Sequence, residues 1–158
     1  MSVQKVKQYL AQFGADDKVM QFDQSSATVE LAAVAVGVIP ARIAKTLSFK
    51  KSVEQKAILI VAAGDVKVDN AKFKKFFGYK AKMLVAEEVE ELTGYRIGGV
   101  CPFDNPDGTD VYLDVSLQRF DVVYPACGSD NSAIPLTLDE LYQYSKAKEW
   151  IDVCKIKE

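Results

Sequence analysis

The sequence predicts a mixed α/β domain, α+β-like, with a central sheet that is largely antiparallel or mixed and is flanked by helices. Segments with helical spacing of apolar residues are interspersed with short strand-like runs, and the strand runs concentrate in the middle of the chain at hairpin-like spacing. No Gly-x-Gly-x-x-Gly follows a first strand, which argues against a doubly wound nucleotide fold. At 158 residues the chain fits a single domain over 1–158. That length buries about two-thirds of the surface the unfolded chain exposes.

Val3, Val6, Leu10 and Phe13 recur at helical spacing behind Ser2, and Gly14 follows as a stop, so residues 2–13 read as an amphipathic helix. Lys18 to Phe22 reads as a short strand. Ser25 and Ser26 offer an N-cap for a second helix over 26–36, ended by Gly37 before Ile39-Pro40. Arg42 to Lys50 and Gln55 to Ala63 read as an antiparallel strand pair, the second carrying the apolar run of a buried strand. Asp69 caps a helix through Phe77 that turns Phe73, Phe76 and Phe77 inward and leaves Lys72, Lys74 and Lys75 in water. Lys82 to Val85 is a brief strand, and the acidic segment from Glu87 to Leu92 a short helix that ends at Gly94. Strands follow at Val111–Val115 and Asp121–Pro125, then a Gly128-Ser129 turn, a helix from Thr137 to about Lys146, and an edge strand over Trp150–Cys154.

Composition removes several chemistries. There is no histidine, hence no imidazole base, no Ser-His or Cys-His nucleophile system and no His-ligated zinc. Cys101, Cys127 and Cys154 are odd in number and widely spaced, which argues against a disulfide framework or a thiolate metal site; neither metal nor cofactor is expected. The first residues carry no export signal and the apolar runs are too short to span a bilayer, so a cytoplasmic protein without membrane contact is expected. The net charge of −2 is unevenly spread: residues 1–85 hold 14 basic and 7 acidic side chains, residues 86–158 hold 6 and 15. Lys67, Lys72, Lys74, Lys75, Lys80 and Lys82 against Asp69 form a local basic stretch suited to a polyanion.

The stretch with most chemical content is Gly94 to Phe103. Adjacent Gly98 and Gly99, with Pro102 three residues on, can be neither regular helix nor central strand, and such a loop can present uncovered N–H donors to an anion or a polarised carbonyl. Taken alone it is as consistent with an ordinary tight turn.

The order of several pieces is more telling. Ala32-Ala33 and Gly37, Ala-Arg-Ile-Ala-Lys-Thr-Leu (41–47), Val-Asp-x-x-Lys-Phe-Lys-Lys-Phe-Phe-Gly (68–78), Glu-Glu-Val-Glu-Glu-Leu-Thr-Gly-Tyr (87–95), Gly-Gly-Val-Cys-Pro-Phe (98–103) and Ala-Cys-Gly-Ser (126–129) together resemble the YbaK/prolyl-tRNA synthetase-associated domain family. The resemblance covers nearly the whole chain. It implies a trans-editing deacylase that hydrolyses misacylated aminoacyl-tRNA, with aminoacyl-tRNA as partner, an aminoacyl-tRNA synthetase as a further one, and no role for DNA. A non-catalytic aminoacyl-, nucleotide- or tRNA-binding regulatory module is the alternative.

Carried onto this chain, the resemblance implies catalytic positions at Lys45 and at Gly98, Gly99, Val100 and Cys101, substrate contacts at Ser26, Thr28, Pro102, Phe103, Gly128 and Ser129, and tRNA contacts at Lys72, Lys74, Lys75, Lys80 and Lys82. Loop N–H groups would stabilise the tetrahedral oxyanion while Lys45 supplies charge and position. Without an imidazole partner Cys101 is expected to line the pocket rather than to attack, and Cys127 and Cys154 to sit in the core. The expected pocket walls are the start of the second helix, the Lys45 strand and the Gly128-Ser129 turn. They are small and partly hydroxylic, which suits a small amino acid.

Overall fold

The computed structural model describes residues 2–51 and 55–157. Among these residues six strands form the main sheet in the order β8-β6-β2-β3-β5-β9: β2 Ile43–Lys50, β3 Ala57–Ala63, β5 Asp110–Asp114, β6 Val122–Pro125, β8 Leu136–Thr137 and β9 Trp150–Ile151. β2 and β3 are antiparallel over seven residue pairs, from Ala44↔Ala63 to Lys50↔Ala57. The pairs β2-β6, β3-β5 and β5-β9 are parallel and β6-β8 antiparallel, so the sheet is mixed rather than largely antiparallel. The predicted hairpin stands, while the long connections after it bring later strands alongside in parallel, an arrangement that local spacing does not reveal.

Helices cover both faces because β3 is apolar on both. Leu59, Val61 and Ala63 pack with α1 (Ser2–Ala11), α4 (Ala86–Thr93), α5 (Leu138–Ser145) and the buried Tyr95, Cys101 and Phe103. Ile58, Ile60 and Ala62 pack with Phe73 of α3 (Asn70–Phe77) and with a two-stranded ribbon of β4 (Val66–Val68) and β10 (Cys154–Ile156). α2 (Val29–Val36) lies over the β2-β6 end, where Ala32 and Ala33 meet Ile43. A last pair joins β1 (Met20–Gln21) to β7 (Ser132–Ala133).

Several boundaries differ from the sequence reading, each for a local reason. The expected strand Lys18–Phe22 shrinks to β1 because residues 16–18 form a single 3-10 turn. Thr28, not Ser25 or Ser26, caps α2, its hydroxyl accepting from the Leu31 N–H at 3.1 Å. Lys82–Val85 is no strand. Lys50 N–H donates to the Lys82 carbonyl and Leu84 N–H to the Ser48 carbonyl, leaving one bridge at Met83. Phe76 is 43% exposed and stands edge-on to Tyr112 instead of turning inward. The expected edge strand Trp150–Cys154 splits, β9 joining the sheet and β10 the ribbon; the buried Asp114 holds the junction by accepting from Val153 N–H at 3.0 Å and Ser116 N–H at 2.9 Å.

Candidate active site

A cavity of about 280 Å³ opens where the edge of β2 loses its cover. β6 pairs with β2 only at Ile43 and Ala44, and the Lys82–Leu84 segment covers the same edge only at Ser48 and Lys50. Backbone groups alternate sides along a strand, so those of Thr46 look out through the gap between these two covers. Among the described residues nothing partners them.

Ser26, Ala27, Thr28, Val29 and Ala32 wall one side, Thr46, Ser48 and Leu84 the other, and Gly98 and Val100 close the cavity from the glycine loop. Ile97, 67% exposed, and Met83, 56% exposed, make an apolar lip. The Ser26 hydroxyl is buried without a hydrogen-bond partner. Its backbone N–H is anchored on the Asp130 carbonyl, which fixes where that hydroxyl stands. Among the described residues the lining holds no carboxylate or thiol, and no group of three His, Cys, Asp or Glu could hold a metal.

Lys45 belongs to the wall but leaves β2 on the face opposite Thr46. Its ammonium donates to the carbonyls of Val66 and Gly64, just beyond the end of β3. Burial, followed by the nearby Lys157 ammonium, lowers its pKa to about 8.

The structure divides the predicted site. It brings Ser26, Thr28, Lys45, Gly98 and Val100 to one cavity. Gly99, Gly128 and Ser129 line a different depression, together with Lys5 and Arg96. Gly99 N–H is also consumed, donating to the Arg96 carbonyl at 2.9 Å to close a turn in which Gly98 adopts φ 93°. The N–H groups of Gly98 and Val100 have no partner among the described residues. A Cβ on Gly99 would stand 2.8 Å from the Gly128 carbonyl and from Ser129 N, so this glycine lets two turns touch rather than cradling an anion. The Ser129 hydroxyl is taken up by Asn131 Oδ1 at 2.8 Å and Ser132 Oγ at 2.9 Å.

Cys101, Pro102 and Phe103 point into the core rather than the cavity. Burial pushes the Cys101 thiol up to about 12, which leaves it protonated and enclosed and removes it as a nucleophile or a pocket wall. Cys127 and Cys154 are buried as expected. Of the predicted RNA-facing lysines, Lys74, Lys75, Lys80 and Lys82 are exposed, whereas Lys72 is bound to Asp152 at 3.1 Å and to the Cys154 carbonyl.

Sequence reasoning missed Thr46, Ser48, Tyr124 and Ser132 as wall residues. For Thr46 and Ser48 a signal existed: hydroxyls alternate there with Leu47 and Phe49, a polar stripe on a strand that is otherwise core.

Comparison with known proteins places the chain in a family. Residues 23–144 match the aminoacyl-tRNA editing domain, and the chain belongs to that family. It is 55% identical over 155 residues to YwhH of Bacillus subtilis (strain 168), an uncharacterized protein, with 98% of each chain covered. It is 24% identical over 143 residues to the proline–tRNA ligase of Bacillus cytotoxicus, covering 90% of this chain and 24% of that enzyme. Among solved structures, one proposed to be a trans-editing enzyme for prolyl-tRNA synthetase superimposes with a TM-score of 0.86 at 31% identity, covering 98% of this chain and 97% of the other.

Proposed function

We propose that this protein hydrolyses the ester bond of misacylated aminoacyl-tRNA in trans, with a small amino acid as the preferred cargo. The observation that carries the reading is the cavity itself: groups without a hydrogen-bond partner at Ser26, Thr46, Gly98 and Val100 line one space whose lining, among the described residues, contains no carboxylate, thiol or imidazole. Ester hydrolysis passes through a tetrahedral oxyanion, and each well-placed N–H donor lowers that barrier by about 3 kcal/mol. With no carboxylate, thiol or imidazole in the wall and Lys45, at a pKa of about 8, mostly protonated at neutral pH, the hydroxyl next to the ester on the terminal ribose orients the attacking water, and the site contributes position and charge. Lys45 lends positive charge to the wall nearest the ribose and the terminal phosphate.

Ala27, Ala32, Ala44, Ala126 and Ala133 line the cavity, so its size rather than a charged recognition group selects the side chain. One methylene is worth about 1–3 kcal/mol in such a pocket. The similarity to part of a proline–tRNA ligase supports a synthetase as the partner that supplies tRNA selection. The test is a deacylation panel with alanyl-, cysteinyl-, seryl-, threonyl- and prolyl-tRNA, run on the natural protein and on Lys45→Ala. Turnover of at least one small aminoacyl-tRNA, abolished in Lys45→Ala with circular dichroism unchanged, is expected. Full activity in that variant would overturn the role of Lys45, and no turnover across the panel would favour a binding module.

A further inference from the structure

Two pairs of like charges sit along the β4-β10 ribbon. Lys67 and Lys155 are register partners across its antiparallel strands, both exposed, and neither forms an ion pair among the described residues. Directly opposed like charges destabilise a strand pair. One strand position is skipped, and the exposed Lys157, whose N–H donates to the Asp65 carbonyl, places its ammonium beside that of Lys45. The neighbouring carboxylates have their hydrogen bonds elsewhere, although Asp69 lies close enough to Lys155, and Asp65 to Lys45, to feel their charge. Asp65 is held by two Arg119 nitrogens at 2.6 and 3.0 Å, Asp69 accepts from the Ala71 and Lys72 N–H groups at the start of α3, and Asp152 is bound by Lys72. Lys45 leads from the cavity wall to the Val66 carbonyl at the start of the ribbon, where Lys157, Lys155 and Lys67 follow along its two strands.

We infer that this track, Lys45, Lys157, Lys155 and Lys67, binds successive phosphodiesters of a single-stranded RNA end whose terminal nucleotide enters the cavity. The inference rests on the editing reading for what fills the cavity, and it replaces the α3 lysines Lys74 and Lys75 as the principal RNA contact. Repulsion between the paired ammonium groups is relieved when phosphates come between them. Neither pair is visible in sequence, because Lys155 and Lys157 lie in the acidic half of the chain.

The experiment measures binding of a fluorescein-labelled RNA hairpin with a single-stranded 3′ ACCA end as a function of salt, alongside thermal unfolding and deacylation of alanyl-tRNA. Lys67→Gln/Lys155→Gln is expected to make the slope of log Kd against log salt shallower by about 1.4, since each single-strand phosphate contact contributes about 0.7. Lys74→Gln/Lys75→Gln is expected to leave the slope unchanged. Lys67→Glu, which turns a like-charged pair into an opposite one, is expected to raise Tm while weakening RNA binding several-fold, an opposition that a merely structural role would not produce. An unchanged slope in the ribbon double variant, or a loss confined to the α3 variant, would overturn the track. If the natural protein deacylates alanyl-tRNA while the ribbon variants bind as it does, the track fails and the hydrolase reading stands. Binding that depends on the ribbon lysines, without deacylation of any aminoacyl-tRNA, would keep the track and overturn the hydrolase reading.

Discussion

Gly98 and Gly99 look equivalent in sequence and do different work. Gly98 supplies the positive φ that turns the loop at the cavity wall, and its N–H has no partner among the described residues. Gly99 permits contact between two turns, and Gly99→Ala would drive a Cβ into the Gly128–Ser129 backbone, where no flexible side chain can yield. A loss of about 1–3 kcal/mol is expected from such overpacking, measured as a lower urea midpoint. Lys45 makes a second residue-scale prediction. Its pKa is about 8 in the fold against 10.5 for the free side chain, so between these values the unfolded chain binds the extra proton. Stability contributed at this position therefore rises as pH climbs from 8 toward 10.5, and the burial penalty is complete below 8. Comparing the natural protein with Lys45→Met by urea unfolding across that window should show the natural protein gaining relative to the variant. A constant difference would mean that the ammonium is fully hydrated.

Among the elements, α2 and α5 show how short helices are fixed by their ends. Thr137 begins α5 with a reciprocal cap: its hydroxyl accepts from Glu140 N–H at 3.1 Å while the Glu140 carboxylate accepts from Thr137 N–H at 2.9 Å. The backbone N–H bond is the first cause holding the Glu140 carboxyl below its ordinary pKa, with Lys18 adding to it. Thr137→Ala should cost about 1 kcal/mol, seen as a lower urea midpoint with an unchanged slope. In α2 the cap falls on Thr28 instead of Ser26, and that shift releases the Ser26 hydroxyl for the cavity.

At the scale of the whole molecule, the parallel strands and the ribbon depend on one buried carboxylate. Asp114 ends β5, starts the 3-10 turn at Val115 through Ser116 N–H, and receives Val153 N–H from the segment between β9 and β10. Asp114→Asn puts an amide where acceptors are required and strands one of two buried N–H donors. The expected loss is about 1–3 kcal/mol of global stability. Hydrogen exchange should show added opening at Val153 and along β10, since the clamp holds the segment that leads into the ribbon. Exchange confined to Ser116 would show that the ribbon is held by packing alone.

The sequence by itself determined the mixed α/β class, the β2-β3 hairpin, most helix boundaries and the absence of an imidazole from any site, because these follow from local periodicity, stop residues and composition. It also carried the family, through motifs spread along the chain, and marked Lys45 and the Gly98 loop as places to look. Tertiary structure alone decided that the sheet is mixed, because parallel pairing joins segments some fifty residues apart, as Ile58 joins Asp110. It alone decided which loop residues face the cavity: φ and side-chain direction separate Gly98 and Val100 from Cys101 and Phe103, although all four are contiguous with the same motif. The open backbone of Thr46 and the facing lysines of the ribbon exist only through strand register, and register is a relation between distant residues that no local stretch encodes.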